Sequence, residues 1–331
     1  MSRKNVRSSP RRKPGTGKSL SRRFRLVSAL AALVLVLIAV FILTRPPLTW
    51  YVEEGLESPW RRILNTGSPP RGFKRDVRIL KPGETPPRKG QGFIITRKRE
   101  ESGQAVTVYP RLSFDLEYQG AMVLALDPWM VFRNHQYPSL TRDRIVSKVG
   151  EGVLLIPGSD PDAVRAWAAR LLEQPEGEFP QGPEQWQEAE SSLFTSISFP
   201  RGSISFNWQD VWQILLGKDI SWTYAPLSRV RDLPAYRSNI LEATVFPGPG
   251  ENRFGLQAEI LWAIPQGSPG VKPKLKEAAV LWLKSGETQT LIADTLRWLP
   301  AAPEGKPFNP AAMSARLAWL TCSYVWEQHG D

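Results

Sequence analysis

Hydrophobic and polar residues are distributed unevenly along the chain, and the longest uncharged run comes near its start. The nineteen residues from Leu26 to Thr44 contain no charged side chain, and every residue between Leu30 and Leu43 is Ala, Val, Leu, Ile or Phe. A helix of this length rises roughly 28 Å, close to the ~30 Å hydrocarbon core of a bilayer. The pattern therefore predicts one transmembrane helix over residues 26–44.

The charges around this run predict its direction. Ten Lys and Arg residues lie within residues 1–25, and no acidic residue precedes Glu53. Basic residues beside a span stay on the cytoplasmic side, so we expect a cytoplasmic N-terminus and an extracytoplasmic body. A cleaved signal peptide is the alternative, but Thr44 is followed by Arg-Pro-Pro rather than a small-x-small cleavage site. We therefore predict an uncleaved, single-pass signal anchor in the cell membrane.

Residues 1–25 account for the basic character of the chain. The chain holds 43 Lys and Arg against 32 Asp and Glu, so outside this tail 33 basic residues face 32 acidic ones. The tail is rich in Ser, Pro, Gly and basic residues, a composition typical of disorder. Its expected roles are topology and attraction to anionic lipid, with a specific cytoplasmic partner as the alternative. The nearly neutral body argues against a nucleic-acid partner.

Residues 45–90 are punctuated by proline pairs and are predicted to form a juxtamembrane linker. Trp50 and Tyr51 would lie at the outer headgroup level, as aromatic residues near a span tend to do. Residues 51–64 also fit a short amphipathic helix on the membrane surface. That helix and an ordinary linker both stay open, with the linker favoured.

From about Gln91 the pattern alternates between strands and helices. The apolar run Ala121–Leu126 is typical of a strand buried on both faces and is expected to end at residues 127–129. Ser159 or Asp160 can cap a helix whose first turn holds Pro161. Further strands are predicted over residues 92–96, 105–109, 112–118, 153–156, 193–199, 203–208, 220–224, 241–246 and 256–265, and helices over 183–190, 210–216, 226–233, 274–284, 287–296 and 310–327. Such alternation implies an α/β sheet covered on both faces.

The last third contains short motifs in a distinctive order. A helix with Trp208 ends in a Gly-Lys turn, a strand ends in Pro-Gly-Pro, and another strand covers Gln257–Pro265. Two helices follow with the pattern AA-x-x-W-L-x-S-x-E-x-Q-x-x-I-A and then L-P, from Ala278 to Pro300. In this order and spacing, residues 205–303 resemble the extracytoplasmic solute-binding proteins of ABC importers, the two-lobed type that includes sugar and oligosaccharide binders.

The resemblance implies an α/β, periplasmic-binding-protein-like two-lobed fold of type II, preceded by the transmembrane helix. The boundaries that follow are a reduced first lobe over residues 91–207 and a second lobe with C-terminal helices over residues 208–331. The resemblance further implies capture of a small polar solute, such as a carbohydrate, in the cleft between the lobes, and delivery to an ABC permease. The uncleaved anchor departs from the family, whose members are usually released or lipidated.

Aromatic residues supply the candidate ligand site. The chain has 13 Trp, and a Trp face can pack on the apolar face of a sugar ring. Most Trp in folded domains belong to the core, and that is expected of the Trp residues on helix faces. A ligand site is expected beyond the carboxyl ends of buried strands. The candidate ligand-binding residues are Asp127, Trp129, Trp208, Trp222 and Tyr224, with a turn role for Asp127 and core roles for the rings as alternatives.

No cofactor, metal site or catalytic group is predicted. The two His residues are too few for a His-rich metal site, the single Cys322 allows no internal disulfide, and there is no G-x-S-x-G motif. We therefore predict a binding protein rather than an enzyme. Two other hypotheses stay open. One is a degenerate member of the fold acting as an envelope scaffold or sensor subunit. The other is an envelope glycan hydrolase, which needs two carboxylates about 5 to 9.5 Å apart.

Overall fold

The computed structural model of the chain describes residues 27–36, 48–81, 84–87, 91–97, 106–110, 117–118, 120–134, 154–173, 179–180, 184–188, 191, 206–217, 222–233, 237, 239–246, 255–267 and 272–328. The chain divides into two compact units, residues 1–47 and 48–331. In the first unit, residues 27–36 are helical and exposed. The rest of the predicted span and the basic tail lie outside the described residues. Within the described part, no helix is both long and apolar enough to cross a membrane.

The first sheet of the larger unit is built around β1 (Leu48–Glu53). It pairs in parallel with β2 (Phe73–Leu80) on one side and with β3 (Gly92–Thr96) on the other. Two long strands, β6 (Ala121–Asn134) and β10 (Gly255–Gln266), continue the sheet, so that its order is β2-β1-β3-β10-β6. Between β1 and β2, helix α1 (Glu57–Thr66) buries Trp60, Ile63 and Leu64.

The prediction of a juxtamembrane linker over residues 45–90 is wrong for residues 48–80. Trp50 is fully buried, and its ring lies 4.5 Å from that of Phe73 and 5.7 Å from that of Trp60. Neither Trp50 nor Tyr51 is placed as a headgroup anchor would be, because β1 is an interior strand of the sheet. A six-residue apolar segment between prolines is too short to show a hydrophobic periodicity, so its sequence does not distinguish a buried strand from a segment at the membrane interface.

The two long strands each belong to two sheets. β6 (Ala121–Asn134) pairs first with β10 and with the short strands β5 (Glu117–Tyr118) and β11 (Leu299–Pro300). From Trp129 onward it pairs with two strands of a second sheet. The predicted strand end at residues 127–129 is therefore wrong. Pro128 lies where β6 changes partner, so its missing N–H is tolerated.

The second sheet lies on the far half of β6. It contains β8 (Trp222–Pro226) and β9 (Leu241–Thr244), both antiparallel to β6, and β7 (Leu154–Leu155), parallel to β8. The remaining elements are α2 (Pro161–Leu172), α3 (Trp208–Leu215), a 3-10 helix (Leu227–Asp232) and α6 (Pro310–Thr321). Of the two predicted capping residues, Asp160 caps α2. Its carboxylate accepts hydrogen bonds from the backbone amides of Asp162 and Ala163.

Strand β10 (Gly255–Gln266) is the second crossing strand. Its first residues pair in parallel with β12 (Tyr324–Gln328), which in turn pairs with β4 (Val106–Pro110). Its later residues pair with β6 and β3. The predicted last helix ends at Thr321 rather than Glu327, because Cys322 is extended and the following Tyr-Val-Trp segment is buried as β12. The predicted strand over residues 203–208 is also wrong at its end, since Trp208 begins α3.

The predicted lobe boundaries, 91–207 and 208–331, do not match the structure. Helices α4 (Pro273–Lys284) and α5 (Gly286–Leu296), both confirmed as helices, belong with the first sheet although they come from the last third. The ring of Trp282 on α4 lies 5.7 Å from that of Trp50, and α5 packs against α1 and β6. The two sheets interleave in the sequence because the chain crosses between them on β6 and returns on β10.

Candidate functional site

A cleft of about 510 Å³ lies where β6 and β10 change partners. Glu53, Arg97 and Glu259 line it from the first sheet, at or just beyond the ends of β1 and β3 and on β10. Its opposite wall comes from the start of α2, the start of α3 and the 3-10 helix. Both crossing strands contribute to its floor. Residues from both sheets therefore share one concave surface of the size typical of small-molecule sites.

On the first-sheet side, Glu53 and Arg97 form a doubly bonded ion pair. The guanidinium donates to Oε1 of Glu53 from Nε at 3.0 Å and from Nη2 at 2.8 Å. The Arg97 amide and the Thr96 hydroxyl both donate to Oε2 at 2.7 Å. Burial alone would raise the pKa of Glu53, but these bonds outweigh it and the net pKa is lowered. The pair therefore presents a fixed charge pattern to the cleft at neutral pH.

Asp127 occupies the crossing point itself. It lies on β6 directly opposite Glu259 on β10, and only 4% of its surface is exposed. The amide of Ser228, at the start of the 3-10 helix, donates to its Oδ1 at 2.8 Å. Burial raises the pKa of Asp127 to about 7, and the charge of Glu259 adds to this rise. A carboxyl group that titrates near neutral pH thus lies in the floor of the cleft.

Asp160 joins three elements on the second-sheet side. While Oδ1 caps α2, Oδ2 accepts the indole N–H of Trp208 at 2.6 Å and a guanidinium N–H of Arg229 at 3.4 Å. The guanidinium of Arg229 lies 5.4 Å from the centre of the Trp208 ring, within range of a cation–π contact. Trp208 also stacks on Trp212 at 6.0 Å. The Trp208 ring is therefore held rigidly at the wall of the cleft.

Three of the five predicted site residues line the cleft. They are Asp127, Trp129 and Trp208. Trp129 is half-buried, and its ring lies 5.5 Å from that of Tyr224. Because Trp129 retains exposed surface in the cleft, it is the better candidate for packing on a ligand ring. The ligand-binding role of all three residues remains a prediction.

The expectation that Trp222 and Tyr224 face the cleft is wrong. Trp222 is 4% exposed and Tyr224 1% exposed, and neither lines the cavity. The Tyr224 hydroxyl instead donates a hydrogen bond to Oε1 of Gln257 at 2.7 Å. Gln257 lines the cleft, so Tyr224 contacts a cleft residue without lining the cleft itself. Alternate residues of a strand face opposite sides of a sheet, and the sequence of β8 alone does not show which side is the cleft.

Several cleft residues were not identified from the sequence. Arg97 follows a predicted strand and Glu259 lies within the predicted strand Gln257–Pro265, but neither pattern marks a cleft residue. Asp160 was recognised only as a helix cap. A cap residue uses one carboxylate oxygen on the helix, which leaves the other oxygen for a second role, and this was the one usable signal. Nothing local marks Arg229, since its partner Asp160 is 69 positions away in the chain.

The arrangement suits recognition of a polar ring compound. Carboxylates, guanidinium groups and the amide of Gln257 offer hydrogen-bond donors and acceptors, while Trp129 offers an apolar face. Among the described residues, no group of three or more His, Cys, Asp or Glu is arranged to hold a metal ion.

Comparison with known proteins gives a match in fold. No family model and no curated protein sequence matches the chain. Among solved structures, the binding protein msme of Bacillus subtilis, in an open conformation, is similar with a TM-score of 0.58 and 10% identity, covering 86% of this chain and 87% of that chain. The bacterial solute receptor AcbH, described as having an exclusive preference for β-D-galactopyranose, has a TM-score of 0.55 and 12% identity, covering 84% and 86%.

A Bordetella ferric binding protein is also similar, with a TM-score of 0.50 and 14% identity, covering 80% of this chain and 90% of that chain. All three are named as binding proteins or receptors. The resemblance inferred from residues 205–303 is confirmed as a likeness of fold that covers most of the chain. The low identities indicate a divergent sequence on this fold.

Proposed function

We propose that this chain is a membrane-anchored, extracytoplasmic solute-binding protein that captures a small polar solute, such as a carbohydrate, for an ABC importer. The observation that supports this most directly is the cleft at the crossing of β6 and β10. It is lined from both sheets by hydrogen-bonding side chains and by an accessible Trp ring. The β-D-galactopyranose preference named for AcbH points to the same class of solute.

In this proposal, the ligand bridges the two walls of the cleft. Glu53 and Arg97 contact it from the first sheet, Asp160 and Arg229 from the second, and Trp129 packs against its ring. The strands β6 and β10 run between the walls at the crossing, and bending of these strands would change the separation of the walls. A ligand that contacts both walls stabilises the arrangement in which they are close, as in other hinge closures.

The anchor and the permease complete the proposal. Residues 26–44 would hold the protein in the membrane with residues 1–25 in the cytoplasm, which the charge pattern supports. A binding protein tethered in this way would present its ligand to an ABC permease in the same membrane.

The proposal is tested by a ligand screen on the full-length protein in micelles. The detergent should be an oxyethylene ether, since a glycoside detergent would present a sugar headgroup to the cleft. Unfolding is followed by intrinsic Trp fluorescence in the presence of sugars, amino acids, polyamines or anions. A ligand at 100 times its Kd raises the free energy of unfolding by about 2.7 kcal/mol, so the midpoint should rise by several degrees with a sugar.

The absence of a shift with every solute class would overturn solute binding. It would favour the second candidate, a degenerate scaffold or sensor subunit. One observation supports that candidate: Asp160, Arg229 and Trp208 already bond to one another, as do Glu53 and Arg97. If a variant with a blocked cleft showed the same rises in unfolding midpoint with these solutes, that result would also count against the proposed site.

A further inference from the structure

The cleft is more negative than the protein as a whole. The described residues that line it carry six carboxylates and four guanidinium groups, a formal net charge of −2, whereas the chain outside residues 1–25 has 33 basic and 32 acidic residues, a balance of +1. A concave surface with low-dielectric walls concentrates such a field. The carboxylates are Glu53, Asp127, Asp160, Asp162, Glu259 and Glu327.

Three of the four arginines lie beside a carboxylate of the same wall. Arg97 is 2.8 Å from Glu53, Arg229 is 3.4 Å from Asp160, and Arg165 is 4.0 Å from Asp162. Their positive charge is therefore already matched within the protein. Arg97 also lies 3.6 Å from Glu259 on β10. Asp127, in the floor of the cleft, is in none of these pairs.

Asp127 lacks such a match. Within the described part of the chain, no Lys or Arg lies within ion-pair distance of its carboxylate. The charged groups that face it are Glu259 from β10, which raises its pKa, and Arg231 from the 3-10 helix, which lowers the pKa less. Ser228 supplies hydrogen bonds but no charge. A nearby cation stabilises the ionised form of a buried carboxylate with these surroundings.

Resting on the proposed solute-binding function, we infer that the solute carries a protonated amine that binds beside Asp127, and that its class is an amino sugar. The amine supplies the positive charge that the cleft lacks, and a pyranose ring is a suitable partner for the half-buried Trp129. The hydroxyl groups of the same ring match the mixed donors and acceptors of both walls. A neutral sugar would leave the Asp127 carboxyl without a cation.

Binding of such an amine changes the protonation of Asp127. A cation beside Asp127 favours its ionised form, and the free protein holds this carboxyl protonated below about pH 7. Binding of the amine at a pH of about 6 should therefore release close to one proton. For the same reason, the affinity should fall as the pH decreases from about 7 to about 5.5, by up to tenfold per pH unit.

The test is calorimetric titration of the full-length protein in oxyethylene detergent with three disaccharides of one skeleton. These are the β-1,4 disaccharide of glucosamine, its N-acetylated form and cellobiose, which differ in amine, amide or hydroxyl at the same carbon. We expect the amine to bind at least tenfold more tightly than the other two. In Asp127→Asn this preference should disappear while weak binding of cellobiose remains.

The matched control is Asp294→Asn, which removes the same charge from an exposed position on α5 outside the cleft and should leave the preference unchanged. If Asp127→Asn does not fold, the wild-type protein still decides the matter. The observed heats at a pH of about 6 are compared in two buffers of different ionisation enthalpy, and equal heats would contradict the inference. If cellobiose binds as tightly as the amine or more tightly, the inference of an amino sugar is wrong but the proposed solute binding stands. If no saccharide binds in this titration or in the earlier screen, both the inference and the proposed function are wrong.

Discussion

Trp129 and Trp222 lie on paired strands, yet their side chains have different surroundings. Trp129 on β6 is half-buried and lines the cleft, whereas Trp222 on β8 is 4% exposed and belongs to the core. A residue's contribution to binding depends on which of these surroundings it has. A pair of substitutions can therefore separate a role in the cleft from a role in stability.

Replacing Trp129 by Ala should weaken binding of the solute about tenfold or more, because the ring face that packs on the ligand is lost; tenfold corresponds to about 1.4 kcal/mol. The midpoint of thermal unfolding should also fall, since the partly buried ring packs against the core, so the affinity of the folded protein is the deciding measurement. Affinity is measured by calorimetry with the solute identified in the screen.

The control is Trp222→Phe, which keeps an aromatic ring in the core but leaves a small cavity. It should lower the free energy of unfolding by roughly 1–3 kcal/mol and leave the affinity within about threefold. The assignment of Trp129 to the site would be rejected if the two variants exchanged these phenotypes.

At the scale of elements, β1 and β3 depend on a close contact between their backbones. Gly92, the first residue of β3, has a φ of +146°, and a Cβ atom there would overlap the backbone of Thr49 on β1. A side chain at this position would force apart two strands in the middle of the first sheet. The same segment would tolerate any residue if it were a flexible linker.

Gly92→Ala should therefore abolish cooperative unfolding or lower its midpoint severely, as followed by Trp fluorescence and near-UV circular dichroism. Gly120→Ala serves as a comparison, since Gly120 also has a positive φ of +79° but no atom lies within 4 Å of the added Cβ. Only the conformational cost of about 1 kcal/mol is expected there. Equal, small effects of the two substitutions would mean that β3 does not pack against β1 as described.

At the scale of the whole molecule, the proposed topology places the large unit outside the cytoplasm. A C-terminally tagged chain expressed in a bacterial host should remain in the membrane pellet after alkaline extraction. When protease is added to cells with a permeabilised outer membrane, the tag should be lost while a cytoplasmic marker protein stays intact. Protection of the tag under these conditions, or its recovery in the soluble fraction, would contradict the proposed topology.

The interleaving of the two sheets explains which residues can act together in the cleft. Glu53 and Arg97 are 44 positions apart, Asp127 and Ser228 are 101 apart, and both pairs are joined by direct hydrogen bonds. The first pair forms because β1 and β3 are parallel neighbours whose ends lie side by side. The second forms because β6 continues from the first sheet into the second, where Asp127 meets the start of the 3-10 helix. The size of the first lobe was underestimated from sequence for the same reason, since it gathers segments from both ends of the body.

Much of the local structure followed from the sequence alone. The helical periods of α4 and α5, the cap and proline that begin α2, and the apolar runs of β6 and β10 all come from interactions between residues a few positions apart. Such interactions are recorded in spacing and residue type, so they can be predicted from the sequence. The order of motifs in the last third was enough to identify the fold that the structural comparisons confirm.

The tertiary structure alone decided where those elements meet. It placed β1 inside a sheet, carried β6 past Pro128 into a second sheet, directed Trp129 into the cleft and Tyr224 away from it, and set Asp127 opposite Glu259. Each of these outcomes depends on pairing between segments far apart in the chain. Strand pairing and the choice of face are settled by the total burial of apolar surface and the satisfaction of buried polar groups, which no local pattern contains.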